Sequence, residues 1–129
     1  AARTPAPQMP AAPFPAFANL RAVIDAGGAA ALATNFNPGS GPSLSMPMAI
    51  ALASRYCGLS VEEAITAATI NAAAVLGLTD RGCITPDARA DLLLLRTDDP
   101  RRLGYELGGD PVATVILGGE VVRNDTSLL

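Results

Sequence analysis

The chain has 129 residues, half of them apolar, and a formal net charge of −3. This length suits one ordinary domain, and the slightly acidic balance without a basic run argues against a nucleic-acid partner. No apolar stretch reaches the ~18 residues of a membrane helix and no signal-peptide pattern opens the sequence, so we expect a cytoplasmic protein that does not bind membranes.

The first part of the chain changes from a proline-rich segment to a helix and then a strand. Five prolines in residues 1–17 exclude a regular helix there. Asn19 is a suitable N-cap for a helix over Leu20–Ala26, which Gly27 and Gly28 end. The apolar run Ala29–Thr34 then predicts a buried strand. A helix, a glycine turn and a strand form half of a βαβ unit, which predicts an α/β fold.

The stretch Asn35-Phe36-Asn37-Pro38-Gly39-Ser40 follows that strand directly. The carboxyl ends of strands in parallel α/β folds are where ligands bind. Asn35, Asn37 and Ser40 would place amide and hydroxyl groups close together there. The same residues also suit an ordinary turn, because Asn-Pro-Gly favours turns. Both interpretations remain open on composition alone.

Two helices are predicted next. The first begins within 43–47 and ends at Gly58, and its nearly uniform apolar character indicates burial on several sides. The second begins at Ser60, which forms a capping box with Glu63, and Gly77 ends it. Glu62 and Glu63 could be mistaken for a general acid–base pair, but carboxylates are routine at the start of a helix.

Beyond Leu78 the pattern becomes that of short strands. Asp87 suits a left-handed turn. Asp91 could be catalytic, but we assign it a structural role, since it lies between strands. Cys57 and Cys83 lack metal-ligand spacing, which favours two buried thiols. The predicted segments are strands at 82–84 and 90–95, a polar connector over 97–111, and a hairpin of 112–117 and 120–123 around Gly118-Gly119.

The segment Ala33–Ser40 resembles the Ala-Thr-Asp-Phe-Asn-Pro-Gly-Ser signature of imidazolonepropionases, which are enzymes of histidine degradation in the amidohydrolase superfamily. The resemblance implies that this strand is the eighth of a (β/α)8 (TIM) barrel. It assigns substrate contacts to Asn37, Gly39 and Ser40. It also assigns Asn35 to the position of a metal-binding Asp, and a neutral amide is a poorer ligand for zinc or iron than a carboxylate.

Further resemblance to the superfamily lies in Glu62–Gly77, with Ala68–Ala73 in its middle. It also lies in the Gly82 and Ala90-Asp91-Leu92 elements, where the chain leaves the barrel for a small β-sandwich. Asn71 is structural at the matching position. The implied organisation is a Pro-rich segment at 1–17, the C-terminal part of the barrel at 18–80, with the last strand and following helices, and part of the sandwich at 81–129.

The resemblance implies hydrolysis of 4-imidazolone-5-propanoate to N-formimidoyl-L-glutamate by a metal-dependent enzyme containing zinc or iron, with a homodimer as an open option for the full-length protein. Because the chain has no histidine, it cannot supply the imidazole ligands of such a site. We therefore expect an incomplete C-terminal portion that is inactive in isolation and binds no cofactor alone. The alternatives are another metal-dependent amidohydrolase, such as a deaminase or prolidase-like enzyme, and a non-catalytic fragment or homologue.

Overall fold

The computed structural model describes residues 17–125 as a group of short helices followed by a three-stranded sheet. The Pro-rich segment predicted at 1–17 lies outside the described residues except for Phe17. The helices and strands, in chain order, are α1 Leu20–Asp25, α2 Met46–Tyr56, α3 Val61–Ala68, α4 Ile70–Val75, β1 Leu92–Leu95, α5 Arg102–Tyr105, β2 Val112–Leu117 and β3 Glu120–Asn124.

The helix starts are set by side-chain caps. The Asn19 side chain accepts a hydrogen bond from the Ala22 amide, which begins α1. The Ser60 hydroxyl accepts from the Glu63 amide at 3.1 Å, and the Glu63 carboxylate accepts from the Ser60 amide at 2.8 Å, so the predicted capping box is confirmed. This capping role argues against Glu63 as a general acid or base, because its carboxylate caps the start of α3.

The sequence predicted a single helix from Ser60 to Gly77. This prediction is wrong in one respect, because the helix is divided at Thr69 into α3 and α4. This residue has φ −120° and ψ −93°, outside the helical region, and its hydroxyl donates to the Ile65 carbonyl at 2.8 Å. Gly82 fits against this break, where an added Cβ would lie 2.9 Å from the Cα of Ile70. Gly77, with φ +70°, does end α4 as predicted.

The core lies between the helices and consists mainly of small side chains. Arg55 on α2 ties α5 to this core by donating to the carbonyls of Gly104 and Tyr105. Helix α5 was not predicted from the sequence, which indicated only a polar connector over 97–111. The buried residues of the cluster are Ala30, Ile50, Ala53, Leu59, Ala64 and Ala67.

The sheet is antiparallel with the strand order β1–β2–β3. The predicted hairpin is confirmed, with Gly118 and Gly119 both at positive φ. Asp91 accepts from the Gly118 amide at 2.8 Å and from the Arg89 side chain at 2.9 Å. It therefore joins the start of β1 to the hairpin turn, which confirms its structural role.

Three other expectations are corrected. Residues 82–84 do not form a strand. Gly82 has a positive φ of +94°, which is not an extended conformation, and it packs against α4. Cys83 is exposed, whereas Cys57 is partly buried. The run Ala29–Thr34 is not part of any sheet, because residues 17–125 contain no neighbouring strand to pair with it. Among the described residues, no helix has the length and apolar content to span a bilayer.

Candidate functional site

The site is carried by residues 29–35, which run across the helices as an isolated segment. The Leu32 amide donates to the Ala67 carbonyl at 2.9 Å, and the Asn71 side chain donates to the Ala30 carbonyl at 2.8 Å. In a continuous helix, the Ala67 carbonyl would accept a hydrogen bond from the Asn71 backbone amide. The break at Thr69 leaves this carbonyl to accept from the Leu32 amide, and so helps to hold the segment. Asn71 has the structural role that we expected.

The two faces of this segment differ. Ala30 is buried, and Leu32 and Thr34 are partly buried, whereas Ala31, Ala33 and Asn35 are exposed. Asn35 thus shares a face with the two small alanines, as side chains alternate along an extended segment. The backbone groups of Ala31 and Ala33 make no hydrogen bond within residues 17–125. One edge of the segment is therefore open.

Asn37 organises the turn that follows, over residues 35–41. Its side-chain oxygen accepts from the Gly39 amide at 3.1 Å, the Ser40 amide at 2.8 Å and the Ser40 hydroxyl at 3.1 Å. Its side-chain nitrogen donates to the Asn35 carbonyl at 2.9 Å. A pair of backbone hydrogen bonds between Asn37 and Gly41 closes the turn. The four residues singled out in the sequence are thus brought together, with Asn37 at their centre.

Asn35 and Ser40 also face an open cleft of about 790 Å³, whereas Asn37 and Gly39 are not among the residues that line it. The side chain of Asn35 makes no hydrogen bond within residues 17–125, so its amide is available to a ligand. The cleft walls are formed by one face of α2, by residues 31–35 and 40–43, and by Phe17, Ala18 and Leu20.

The cleft is electrically neutral. None of the described residues that line it is charged, and the polar groups are hydroxyls, the Asn35 amide and the Cys57 thiol, whose pKa is raised by burial. The ion pairs lie elsewhere, as in the pair of Arg21 and Glu63, where the Ser60 amide and Arg21 lower the pKa of Glu63. The described lining can therefore orient a ligand by hydrogen bonds and apolar contact, but it contains no carboxylate, imidazole or amine.

The residues of this chain do not fit a catalytic metal. The sequence has no histidine, and residues 17–125 contain no group of three His, Cys, Asp or Glu side chains that could hold an ion. Asn35 could offer one neutral oxygen, which is too weak to hold zinc or iron without charged or imidazole ligands.

Several cleft residues were missed by the sequence. Ser43 and Ser45 were noted only as the start of a helix, yet both line the cleft, and the Ser45 hydroxyl also caps α2. Phe17 was assigned to the Pro-rich segment, but it lines the cleft and stacks on Tyr56 with ring centres 4.8 Å apart. A capping motif gives no sign that the same residue also borders a cavity.

Comparison with known proteins gives a consistent result. Residues 15–122 match the amidohydrolase family. Imidazolonepropionases are similar in sequence: that of Chloroflexus aggregans is 52% identical over 107 residues, covering 82% of this chain and 25% of the relative. That of Deinococcus deserti is 49% identical over 111 residues, covering 86% and 26%. The chain thus spans about a quarter of the length of the curated relatives that it matches.

A solved structure is also similar. Enamidase, described as a member of the amidohydrolase superfamily, matches with a TM-score of 0.52 and 25% sequence identity, covering 70% of this chain and 26% of that chain.

Proposed function

This chain belongs to the amidohydrolase family, and from that membership we propose that it is the C-terminal quarter of a cyclic amidohydrolase of the imidazolonepropionase type. The observation that carries the proposal is its similarity to imidazolonepropionases, 52% and 49% identical over more than four fifths of the chain. The reaction proposed for the full-length protein is the hydrolysis of 4-imidazolone-5-propanoate to N-formimidoyl-L-glutamate. Water adds to the ring carbonyl, the ring C–N bond breaks, and the released nitrogen takes up the proton.

The proposal accounts for the open edge of residues 29–35. We assign this segment as the last strand of a (β/α)8 barrel, whose neighbouring strands belong to the part of the enzyme that this chain does not include. The unpaired backbone groups of Ala31 and Ala33 would then bond to those neighbours, since buried unpaired amides are costly. We likewise assign β1, β2 and β3 to part of a small β-sandwich.

Within this enzyme, the chain's own residues would bind and orient the substrate. Ser40 and Asn35 face the cleft directly, and Asn37 and Gly39 belong to the same hydrogen-bonded turn. Because the described residues that line the cleft are uncharged, we propose that a cationic group for the propanoate carboxylate comes from beyond the described residues.

The metal is also assigned to the missing part. We propose that the full-length protein is metal-dependent and that its histidine ligands lie outside these 129 residues. Asn35 would then be a weak additional ligand at best. The absence of histidine and the neutral Asn35 equally suit a non-catalytic homologue, and the similarity to enamidase keeps another cyclic amide open as the substrate.

A chimaera tests the proposal. The matching C-terminal quarter of the C. aggregans imidazolonepropionase is replaced by this chain, and product formation from 4-imidazolone-5-propanoate and from other cyclic amides is measured. We expect measurable hydrolysis of the imidazolone. A folded chimaera that binds metal but hydrolyses no imidazolone would refute the proposed substrate, and activity confined to another cyclic amide would favour the second candidate.

The substitution Asn35→Asp in the same chimaera tests the metal position. A carboxylate oxygen is a stronger ligand for zinc or iron than an amide oxygen, so we expect tighter metal retention through dialysis and faster hydrolysis. The matched control is Asn37→Asp, which also adds one negative charge but is not at the proposed metal position. Equal metal content in the unsubstituted and Asn35→Asp proteins would remove Asn35 from the metal site.

A further inference from the structure

We infer that Thr69 is a positioning residue: its hydroxyl holds the break between α3 and α4, and this break anchors the segment of residues 29–35. Residues 31–35 of that segment form part of the cleft wall. The effect of Thr69 on hydrolysis rests on the proposed function, whereas its effect on the segment rests on the hydrogen bonds of this chain.

The segment is fixed to the helices at two points, one on each side of the break. On the α3 side, the Ala67 carbonyl accepts from the Leu32 amide at 2.9 Å. On the α4 side, the Asn71 side chain donates to the Ala30 carbonyl at 2.8 Å. Because Thr69 lies midway between Ala67 and Asn71, its backbone conformation sets the position of one anchor relative to the other.

At the break, a hydroxyl replaces a backbone amide. In a continuous helix the Thr69 amide would donate to the Ile65 carbonyl. Here that amide donates to the Thr66 carbonyl at 3.3 Å, and the Thr69 hydroxyl donates to the Ile65 carbonyl instead, at 2.8 Å. A hydroxyl that bonds four residues back often bends a helix. The Thr69 hydroxyl therefore stabilises the broken conformation more than a continuous helix, in which the amide would already serve the same carbonyl.

The neighbouring Thr66 shows that such a bond does not by itself break a helix. Its hydroxyl donates to the Glu62 carbonyl at 2.9 Å, also four residues back, yet α3 continues through this position. The surroundings of Thr69 differ, because a Cβ added at Gly82 would lie 3.1 Å from the Thr69 carbonyl oxygen. The backbone at Gly82 is thus packed against the break, which is a built part of the fold and not a frayed helix end.

Amide hydrogen exchange in the 129-residue chain tests the anchoring. Thr69→Val keeps the shape of the side chain and removes its hydroxyl, and it should fold because position 69 is exposed. The Leu32 amide should then exchange about fivefold faster, which corresponds to losing one hydrogen bond. Thr69→Ser keeps the hydroxyl and should restore the protection. The Ala64 amide, which donates to the Ser60 carbonyl at the start of α3, should be unaffected, whereas a general loss of stability would accelerate both amides.

The matched control is Thr66→Val. It also removes an exposed hydroxyl that bonds four residues back, but within a continuous helix, so the exchange of the Leu32 amide should not change. Unchanged exchange of this amide in Thr69→Val would overturn the inference. Equal acceleration in Thr66→Val and Thr69→Val would also overturn it, because the effect would then not depend on the break.

The chimaera connects the anchoring to the reaction. With 4-imidazolone-5-propanoate, kcat/KM should fall by up to about fivefold in Thr69→Val, recover in Thr69→Ser and stay unchanged in Thr66→Val. Faster exchange of the Leu32 amide with unchanged kcat/KM in Thr69→Val would overturn the positioning role. A folded, metal-binding chimaera without activity, together with the expected exchange pattern in the 129-residue chain, would refute the proposed function and leave the anchoring by Thr69 supported.

Discussion

Gly104 on α5 packs closely against Val61 on α3, and a single methyl group added at Gly104 would disturb this contact between the two helices. A Cβ added at Gly104 would lie 2.7 Å and 2.9 Å from the two γ-carbons of Val61. Ordinary contact begins at 3.4 Å, so α5 and α3 would have to separate by several tenths of an ångström. Arg55 opposes this movement, because it holds the Gly104 and Tyr105 carbonyls from α2.

The substitution Gly104→Ala should therefore destabilise the chain. Overpacking of this kind costs about 1–3 kcal/mol, and the better helix propensity of alanine returns about 1 kcal/mol. Because α5 is only one turn long, the propensity gain is realised incompletely. We expect a net loss of about 1–2 kcal/mol in the free energy of unfolding, measured from the helical circular dichroism signal in urea.

Two further variants make this prediction specific. Gly39→Ala is the matched control, since its Cβ would meet only the Asn37 oxygen at 3.6 Å and its φ is not in the left-handed region, so stability should barely change. Val61→Ala removes both γ-carbons, and Gly104→Ala should cost less in that background. An equal cost with and without the Val61 side chain would refute the steric argument.

The remaining predictions concern the pH dependence of stability and the behaviour of the isolated chain. The Ser60 amide and Arg21 lower the pKa of Glu63 below its ordinary value of 4.5, so its stabilising contribution is present above that value and is lost as the pH falls through the lowered pKa. The urea midpoint of the unsubstituted chain should then fall more on acidification than that of Glu63→Gln, and parallel curves would contradict this. The isolated chain should also bind an apolar dye and self-associate, because large apolar residues such as Ile84 and Leu94 are exposed; a monodisperse monomer without dye binding would contradict that prediction.

The sequence predicted the parts of the fold that depend on neighbouring residues. The caps at Asn19 and Ser60 and the glycine turn of the hairpin were all found, because each is determined within a few positions. The break at Thr69 was not, because the periodic apolar pattern continues across it, and what makes room for the break is Gly82, which is distant in the sequence. Strand pairing is equally non-local, and for residues 29–34 no partner lies within residues 17–125.

The candidate site shows the same division between local and non-local information. The turn chemistry of Asn37-Pro38-Gly39 was predictable, and so was the shared face of Ala33 and Asn35. The sequence could not reveal that the Asn37 oxygen accepts three hydrogen bonds inside the turn. Residue type gives the capacity to hydrogen-bond, but only the conformation decides which partners a side chain takes.

The backbone at position 35 does not by itself explain why asparagine occurs there. A φ of +50° is tolerated by both Asn and Asp, which visit the left-handed region more readily than other residues with a β-carbon. The Asn37 side chain bonds to the Asn35 carbonyl, which either residue would provide. The free side chain is therefore where the two residues would differ, one offering a neutral oxygen and the other a charged one. None of the described residues that line the cleft is charged, so a carboxylate would need a cation from beyond them, whereas an amide needs none. The neutral amide thus suits the uncharged described lining of the cleft, and a carboxylate there would need a compensating cation.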